Sequence, residues 1–131
     1  MSTVLENYKY TKTHEWVKVE DDGSVLVGIT DHAQDALGEL VFVEIPDQGI
    51  NVVAGDAVAV VESVKSASDI YSPVSGEIIA SNEELEATPE LVNEDAFERG
   101  WIFRLQPTDM GEVEELLDAS AYQAQLDDED H

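Results

Sequence analysis

One lysine stands apart in this sequence. The chain holds only six basic residues, four lysines and two arginines, against thirty acidic residues. Three of the lysines fall within the first eighteen residues, and the fourth, Lys65, lies in an otherwise apolar or small-residue run. A lysine amine can be acylated or otherwise modified. A chain so poor in amines that keeps one in the middle of a strand–turn–strand pattern is expected to use it.

The residues around Lys65 predict an exposed position at the tip of a hairpin. A tight turn over residues 63–66 joins the predicted strands 57–62 and 67–71, and Gly55 and Gly76 bracket the lysine almost evenly. A lysine at such a tip is most often a solvated surface charge. Here the scarcity of amines and the small, uncharged neighbours favour a covalently attached swinging cofactor, because such an arm must leave the protein body and visit several partners.

The charge of the chain excludes several classes of function. A net charge of −24 at pH 7 repels nucleic-acid phosphates and anionic membranes, so neither is an expected partner. Ample Val, Ile and Leu in strand patterns argue against disorder.

Acidic residues spread along the whole chain suit a folded protein in high salt, where the repulsion between them is screened. We therefore hypothesise a halophilic cytoplasm; the alternative is an acidic mesophilic protein with a solvated surface.

Length and residue usage set further bounds. A chain of 131 residues predicts one domain with a sizeable core. It has no cysteine, which leaves out disulfides and thiolate metal sites. No apolar stretch approaches the ~20 residues of a membrane span. The first ten residues lack the pattern of a secretory signal, so a cytoplasmic location is the default expectation.

Short strands with Gly and Pro punctuation predict a β-sandwich or barrel. Asp-Gly at 22–23 indicates a hairpin turn, and residues 82–99 are irregular apart from a helical turn near 90–92. The predicted strands are 14–20, which alternates from Trp16 onward, and 24–30, 40–45, 57–62, 67–71, 77–80 and 101–105. A helix is predicted at 31–37, capped by Thr30 or Asp31 and closed by Gly38.

The C-terminal part is predicted to be helical over about 109–126. Asp109 and Glu112 have the spacing of an N-cap and its partner, and Val113, Leu116 and Leu117 form an apolar stripe. A second short helix begins near Ser120. The acidic tail, 127–131, is expected to fray.

Several motifs together resemble the glycine cleavage system H protein family. The segment around Lys65, residues 61–77, resembles the lipoylation segment of that family. The resemblance covers nearly the whole chain and depends on further runs in the family's order, at 10–17, 28–34, 37–46, 91–95 and 100–102. Two departures are visible: Ser66 stands where the family usually has Ala, and the tail is richer in acids.

This resemblance implies a fold and a role. The fold is mainly β with short helices (α+β), a lipoyl/biotinyl-type barrel-sandwich hybrid with a lipoyl hairpin at about 55–80 and a helical C-terminus. Lys65 would carry lipoate as an amide (N6-lipoyllysine). The chain would be a non-catalytic carrier that serves a PLP-dependent glycine decarboxylase, a folate-dependent aminomethyltransferase and dihydrolipoyl dehydrogenase, after modification by a lipoate-attaching enzyme.

The resemblance also implies a surface cleft near the His-Glu-Trp motif that receives the loaded arm. Glu15 is the candidate acceptor for its cationic aminomethyl nitrogen, and Thr13 could supply a hydroxyl. Asp69 lies close in sequence to the base of the arm. The alternative for each acid is an ordinary exposed residue on a strand or turn. Three histidines lack metal-ligand spacing and are interpreted as structural or surface residues: His14, His32 and His131. Trp16 and Trp101 are expected to be core aromatics.

Four other functions compete with this interpretation. A biotin carrier has a related hairpin, but its lysine usually lies between methionines, and the only methionines here are Met1 and Met110. A lipoyl domain of a 2-oxoacid dehydrogenase lacks the His-Glu-Trp strand and the helical C-terminus. A similar carrier could relay lipoate to other complexes. From a different class, the chain could be an acidic cation-binding or adaptor protein.

Overall fold

Two antiparallel sheets form the framework in the computed structural model, which describes residues 4–129. The strands are β1 (Lys9–Tyr10), β2 (Glu15–Val19), β3 (Val25–Ile29), β4 (Leu40–Glu44), β5 (Asn51–Val52), β6 (Ala57–Ser63), β7 (Ala67–Tyr71), β8 (Gly76–Ser81) and β9 (Phe103–Pro107). One sheet has the order β1-β2-β3-β9-β8-β5 and the other β4-β6-β7. The predicted mainly-β architecture with short helices is confirmed.

Local sequence explains where the first helix begins and ends. The helix α1 (Asp31–Leu37) follows Thr30, whose hydroxyl accepts a hydrogen bond from the amide of Ala33 at 3.2 Å. It ends at Gly38, whose φ of 85° is open to glycine at little cost. Both of these predicted boundaries are confirmed, and the segment from Gly38 leads directly into β4.

Four further helices follow within residues 4–129, and two of them differ from prediction. They are α2 (Glu84–Ala87), α3 (Leu91–Glu94), α4 (Met110–Glu114) and α5 (Ala119–Glu129). The sequence did not indicate α2. The acidic tail was expected to fray from residue 127, but α5 continues through Asp127 and Asp128 because Tyr122 and Leu126 are buried and hold the helix to the body. Residues 130 and 131 lie outside the described part of the chain.

None of the helices in residues 4–129 has the length and apolar character needed to cross a bilayer.

Strand β2 is buried on both faces, which divides the core into two parts. Val17 points into the main apolar cluster between the sheets, and Trp16 points into a smaller aromatic cluster beneath α5. Trp16 is fully buried and its indole lies against Gly28 on β3, where a Cβ would come within 2.6 Å of the ring. Trp101 is half-buried and packs against the edge of the aromatic cluster, so it belongs to the core less fully than predicted.

The hairpin that carries Lys65 is shorter than the predicted 55–80 segment. It consists of β6 and β7, residues 57–71, and the following strand β8 belongs to the other sheet, where it pairs with β5 and β9. The chain changes sheets at Ser72 and Pro73, both buried, and the Ser72 hydroxyl donates to the carbonyl of Val74 at 2.6 Å. Proline cannot donate to a strand ladder, so the hairpin ends there.

Candidate functional site

Lys65 lies at the exposed tip of the β6–β7 hairpin, in a turn that is held by its own hydrogen bonds. The amide of Ser63 donates to the carbonyl of Ser66 at 2.8 Å. The Ser63 hydroxyl oxygen accepts from the amides of Lys65 and Ser66, each at 3.1 Å. A serine hydroxyl that binds amides two and three residues ahead fixes the turn. The backbone of Lys65 is therefore held in place while its side chain stays exposed.

The side chain of Lys65 extends toward the C-terminal end of α1. Its Nζ lies 3.5 Å from the carbonyl oxygen of Ala36, and its Cε lies 3.1 Å from where a Cβ on Gly38 would be. Unpaired carbonyls at a helix C-terminus attract a cation, although at this distance the contact is weak. Within residues 4–129 no carboxylate forms an ion pair with Lys65. The amine is thus neither buried nor locked in a salt bridge.

A cavity of about 490 Å³ opens at the other end of the hairpin. Its walls come from the turn before β2, the end of β7 and the segment after α4. The lining residues are Tyr10, Thr11, Lys12, Thr13, Glu15, Gly55, Tyr71, Ser72, Pro73, Glu115, Leu116 and Leu117. Lys65 and Tyr71 are six residues apart along an extended strand, a separation of about 20 Å.

Glu15 is the buried acid of this cavity. Only 1% of it is exposed, because it lies on the same face of β2 as the core residue Val17. The interpretation of Glu15 as an ordinary exposed strand acid is therefore wrong. The sequence signal that could have shown this is the adjacent apolar pair Trp16 and Val17, which breaks strict alternation and indicates a strand covered on both faces.

The hydrogen bonds of the Glu15 carboxylate are uneven. One oxygen, Oε1, accepts from the hydroxyls of Thr11, at 2.5 Å, and Thr13. The other, Oε2, has one hydrogen-bond donor among residues 4–129, the amide of Tyr71 at 3.3 Å. Burial raises the pKa of Glu15, and these hydrogen bonds oppose the rise because they favour the charged form. Oε2 thus keeps acceptor capacity for a cationic group that enters the cavity.

The structure brings together two of the three predicted cleft residues. Thr13 lies beside Glu15 and donates to it. Asp69 is exposed on β7 and is not part of the cavity lining, although it shares a strand face with the lining residue Tyr71. Sequence reasoning missed Thr11, whose hydroxyl oxygen also accepts the amide of Glu15 at 3.0 Å.

The histidines near the site are part of a polar network that fastens α5. His14 has a φ of 72°, and its Nδ1 lies 2.8 Å from the hydroxyl of Tyr122, which also lies 2.7 Å from the Thr30 hydroxyl. The His14 and His32 rings are 4.8 Å apart. Among residues 4–129, no three His, Cys, Asp or Glu residues form a group able to hold a metal ion. The third histidine, His131, lies outside the described residues.

Known proteins match nearly the whole length of this chain. The family described as "Glycine cleavage H-protein" matches residues 8–129. Proteins named "Glycine cleavage system H protein" from Shewanella oneidensis and Shewanella halifaxensis are each 58% identical over 129 residues, which is 98% of this chain and 100% of each relative.

A solved structure agrees with this assignment. The crystal structure of a glycine cleavage system H protein from Mycobacterium marinum is 40% identical in sequence. It superimposes with a TM-score of 0.86 and covers 94% of this chain and 98% of its own. The two open sheets with short helices thus correspond to the barrel-sandwich fold that the sequence predicted. By sequence over nearly its full length and by fold, this chain belongs to the glycine cleavage H-protein family.

Proposed function

We propose that this chain carries lipoate as an amide on Lys65 and serves as the mobile-arm carrier of glycine cleavage. The observation that supports this most directly is the exposed amine at the tip of a turn fixed by Ser63, in a member of this family. The residues fit such a group, because an acylated amine at this tip can move without disturbing the core. Bound lipoate supplies a disulfide that accepts electrons and a one-carbon group.

The residues around the cavity hold the far end of the arm. A chain anchored at Lys65 must run along β7 to enter the cavity, which Tyr71 lines at the end of that strand. There, apolar contacts come from Leu116, Leu117 and Pro73, and the Glu15 carboxylate attracts a cationic amine. Holding the loaded end in this cavity excludes bulk water and slows its hydrolysis. Asp69, exposed beside the route from tip to cavity, can guide the same cation.

The rest of the cycle is assigned to other proteins. The PLP-dependent decarboxylase loads the arm, the folate-dependent aminomethyltransferase removes the one-carbon unit, and dihydrolipoyl dehydrogenase reoxidises the thiols. We propose that this chain itself catalyses no step and works in the cytoplasm. A second role, relay of lipoate to 2-oxoacid dehydrogenase complexes, stays a prediction that transfer of labelled lipoate to an apo subunit would test.

Replacement of Lys65 by Arg tests the proposed function. Lys65→Arg keeps the positive charge but supplies no acylable amine, so glycine–bicarbonate exchange with the decarboxylase should fall to background. Lys18→Arg is the matched control, because Lys18 lies on β2 away from the hairpin tip. Circular dichroism should show the same fold for both variants. Exchange that survives Lys65→Arg would refute the assignment of Lys65.

A further inference from the structure

An exposed apolar patch lies beside the lysine tip. Val41, Phe42 and Val64 are exposed by 54%, 45% and 75%. Val64 belongs to the Lys65 turn, and in the register Leu40 faces Ser63 while Phe42 faces Glu62. The three residues, named here the β4 patch, therefore lie within two register positions of each other at the end of the hairpin that carries Lys65.

A β-bulge creates the patch. Leu40 and Val43 are buried, and strict alternation would expose only one of the two residues between them. The register shifts between Leu40 and Phe42, so that two consecutive apolar side chains face solvent. Bulges of this kind re-aim side chains near functional sites. Clustered exposed apolar side chains are typical of a protein contact surface.

The Lys65 amine points toward this side of the hairpin. Its contacts, Ala36 and Gly38, belong to the segment that leads into β4. Asn93 fixes that segment: its Oδ1 accepts the amide of Leu40 at 2.9 Å, and its Nδ2 donates to the carbonyl of Gly38 at 2.9 Å. The amine and the patch are thus presented together on one rigid surface.

Acidic residues flank the patch in sequence and in the strand register. Asp35, Glu39 and Glu44 are exposed, and Glu62 is half-exposed. An apolar centre with an acidic rim is complementary to a protein surface with an apolar centre and a basic rim. We propose that the β4 patch is the docking face for the enzyme that acylates Lys65. The contact surface of that enzyme would have an apolar centre and a basic rim. This inference depends on the proposed function and names the partner of the same lysine.

The acylating enzyme fits this face better than the decarboxylase, the aminomethyltransferase or the dehydrogenase does, because the acylating enzyme must bring its active site to the Lys65 Nζ atom. The deprotonated amine of Lys65 attacks the carbonyl carbon of an activated lipoyl donor, such as an acyl-adenylate. A nitrogen–carbon bond forms, the carbon–oxygen bond to the adenylate phosphate breaks, the adenylate leaves with that electron pair, and the amine proton passes to solvent. The later enzymes act on sulfur at the far end of the arm, away from the tip.

A paired set of variants tests the proposal. The double variant Val41→Thr/Phe42→Thr removes the apolar centre of the patch and keeps strand propensity. The control is the double variant Ile50→Thr/Val53→Thr. These two residues flank β5 in the other sheet and have similar exposure, 42% and 63%. Acylation by a lipoate–protein ligase with ATP and lipoate is followed by intact mass at limiting enzyme. The patch variant should lose kcat/KM on the order of tenfold, and the control should stay within about twofold of the wild type.

The outcomes separate the two proposals. If the wild type itself gains no lipoyl mass on Lys65, the proposed function fails. If the wild type is acylated and the patch variant reacts equally fast, the docking proposal is overturned. Fully lipoylated forms of both variants are then loaded by the decarboxylase with glycine. A patch defect in loading but none in acylation would assign the face to the decarboxylase and overturn the proposal.

Discussion

The replacement Glu15→Gln tests how the cavity protects the loaded arm. Glutamine keeps the size of the side chain and an oxygen acceptor for the hydroxyls of Thr11 and Thr13, but it removes the negative charge. Oε1 already accepts two hydroxyls, whereas Oε2 accepts one long hydrogen bond from the described part of the chain. A cationic amine that enters the cavity can therefore form its charge-assisted bond at Oε2.

The size of the effect follows from that single bond. A hydrogen bond to a charged group contributes about 1.5–3 kcal/mol, which corresponds to a change of about 10- to 150-fold in the occupancy of the cavity. If hydrolysis occurs mainly from the arm outside the cavity, the lifetime of the loaded form should shorten by the same factor. The matched control is Glu115→Gln, because Glu115 lines the same cavity but is exposed.

The assay follows hydrolysis directly. The lipoylated protein is loaded with the decarboxylase and glycine, separated from the enzyme, and monitored for release of ammonia and formaldehyde. Lipoylation, checked by intact mass, should be the same in all variants. A Glu15→Gln lifetime within twofold of the wild type would contradict the role of Glu15.

The pH dependence adds a second readout. Burial raises the pKa of Glu15, so the carboxylate loses its charge at a higher pH than an ordinary glutamate does. The ratio of wild-type to Glu15→Gln lifetimes should therefore fall toward one as pH drops through that raised pKa. A ratio that is constant over the whole range would show that the charge of Glu15 is not involved.

Three further predictions concern stability and can be checked by thermal or urea unfolding. Burial raises the pKa of Glu15, so the folded protein binds this proton more tightly than the unfolded chain does. The free energy of unfolding of the wild type should therefore fall relative to that of Glu15→Gln as pH rises through the raised pKa, and the two values should converge below the ordinary glutamate pKa. A difference that grows toward acid pH would contradict this sign. Gly28→Ala should cost about 1–3 kcal/mol, since its Cβ would meet the Trp16 ring, and an unchanged midpoint would refute the close packing. Molar KCl should raise Tm, because it shortens the screening length from about 10 Å at 0.1 M to about 3 Å at 1 M and so weakens the repulsion among acidic residues in a chain of net charge −24. An equal Tm in dilute buffer and in molar KCl would contradict the halophilic hypothesis.

Local patterns predicted the hairpin and the position of Lys65 because both depend on short-range chemistry. Alternating apolar residues fix β6 and β7, and small residues between them form the turn. Local sequence likewise predicts the Asp22-Gly23 turn and the boundaries of α1 at Thr30 and Gly38. Each of these features follows from the backbone preference or the capping side chain of one residue.

The parts that sequence reasoning missed depend on contacts between distant segments. The two-residue strand β1 exists because Tyr10 pairs with Trp16 and bridges to Leu117 near the other end of the chain. Glu112 has the spacing of a capping partner for Asp109, but its carboxylate accepts the Ser75 amide at 2.8 Å instead. The cavity likewise needs a wall from the segment after α4. No local pattern reports such pairings.

The identity and site of the covalent group test the central claim most directly. The chain, expressed in a host that makes lipoate, should show a mass increase of one lipoyl group, and peptide mapping should place that group on Lys65. A protein that remains unmodified in such a host, carries biotin, or bears the lipoyl group on Lys9, Lys12 or Lys18 would contradict the account.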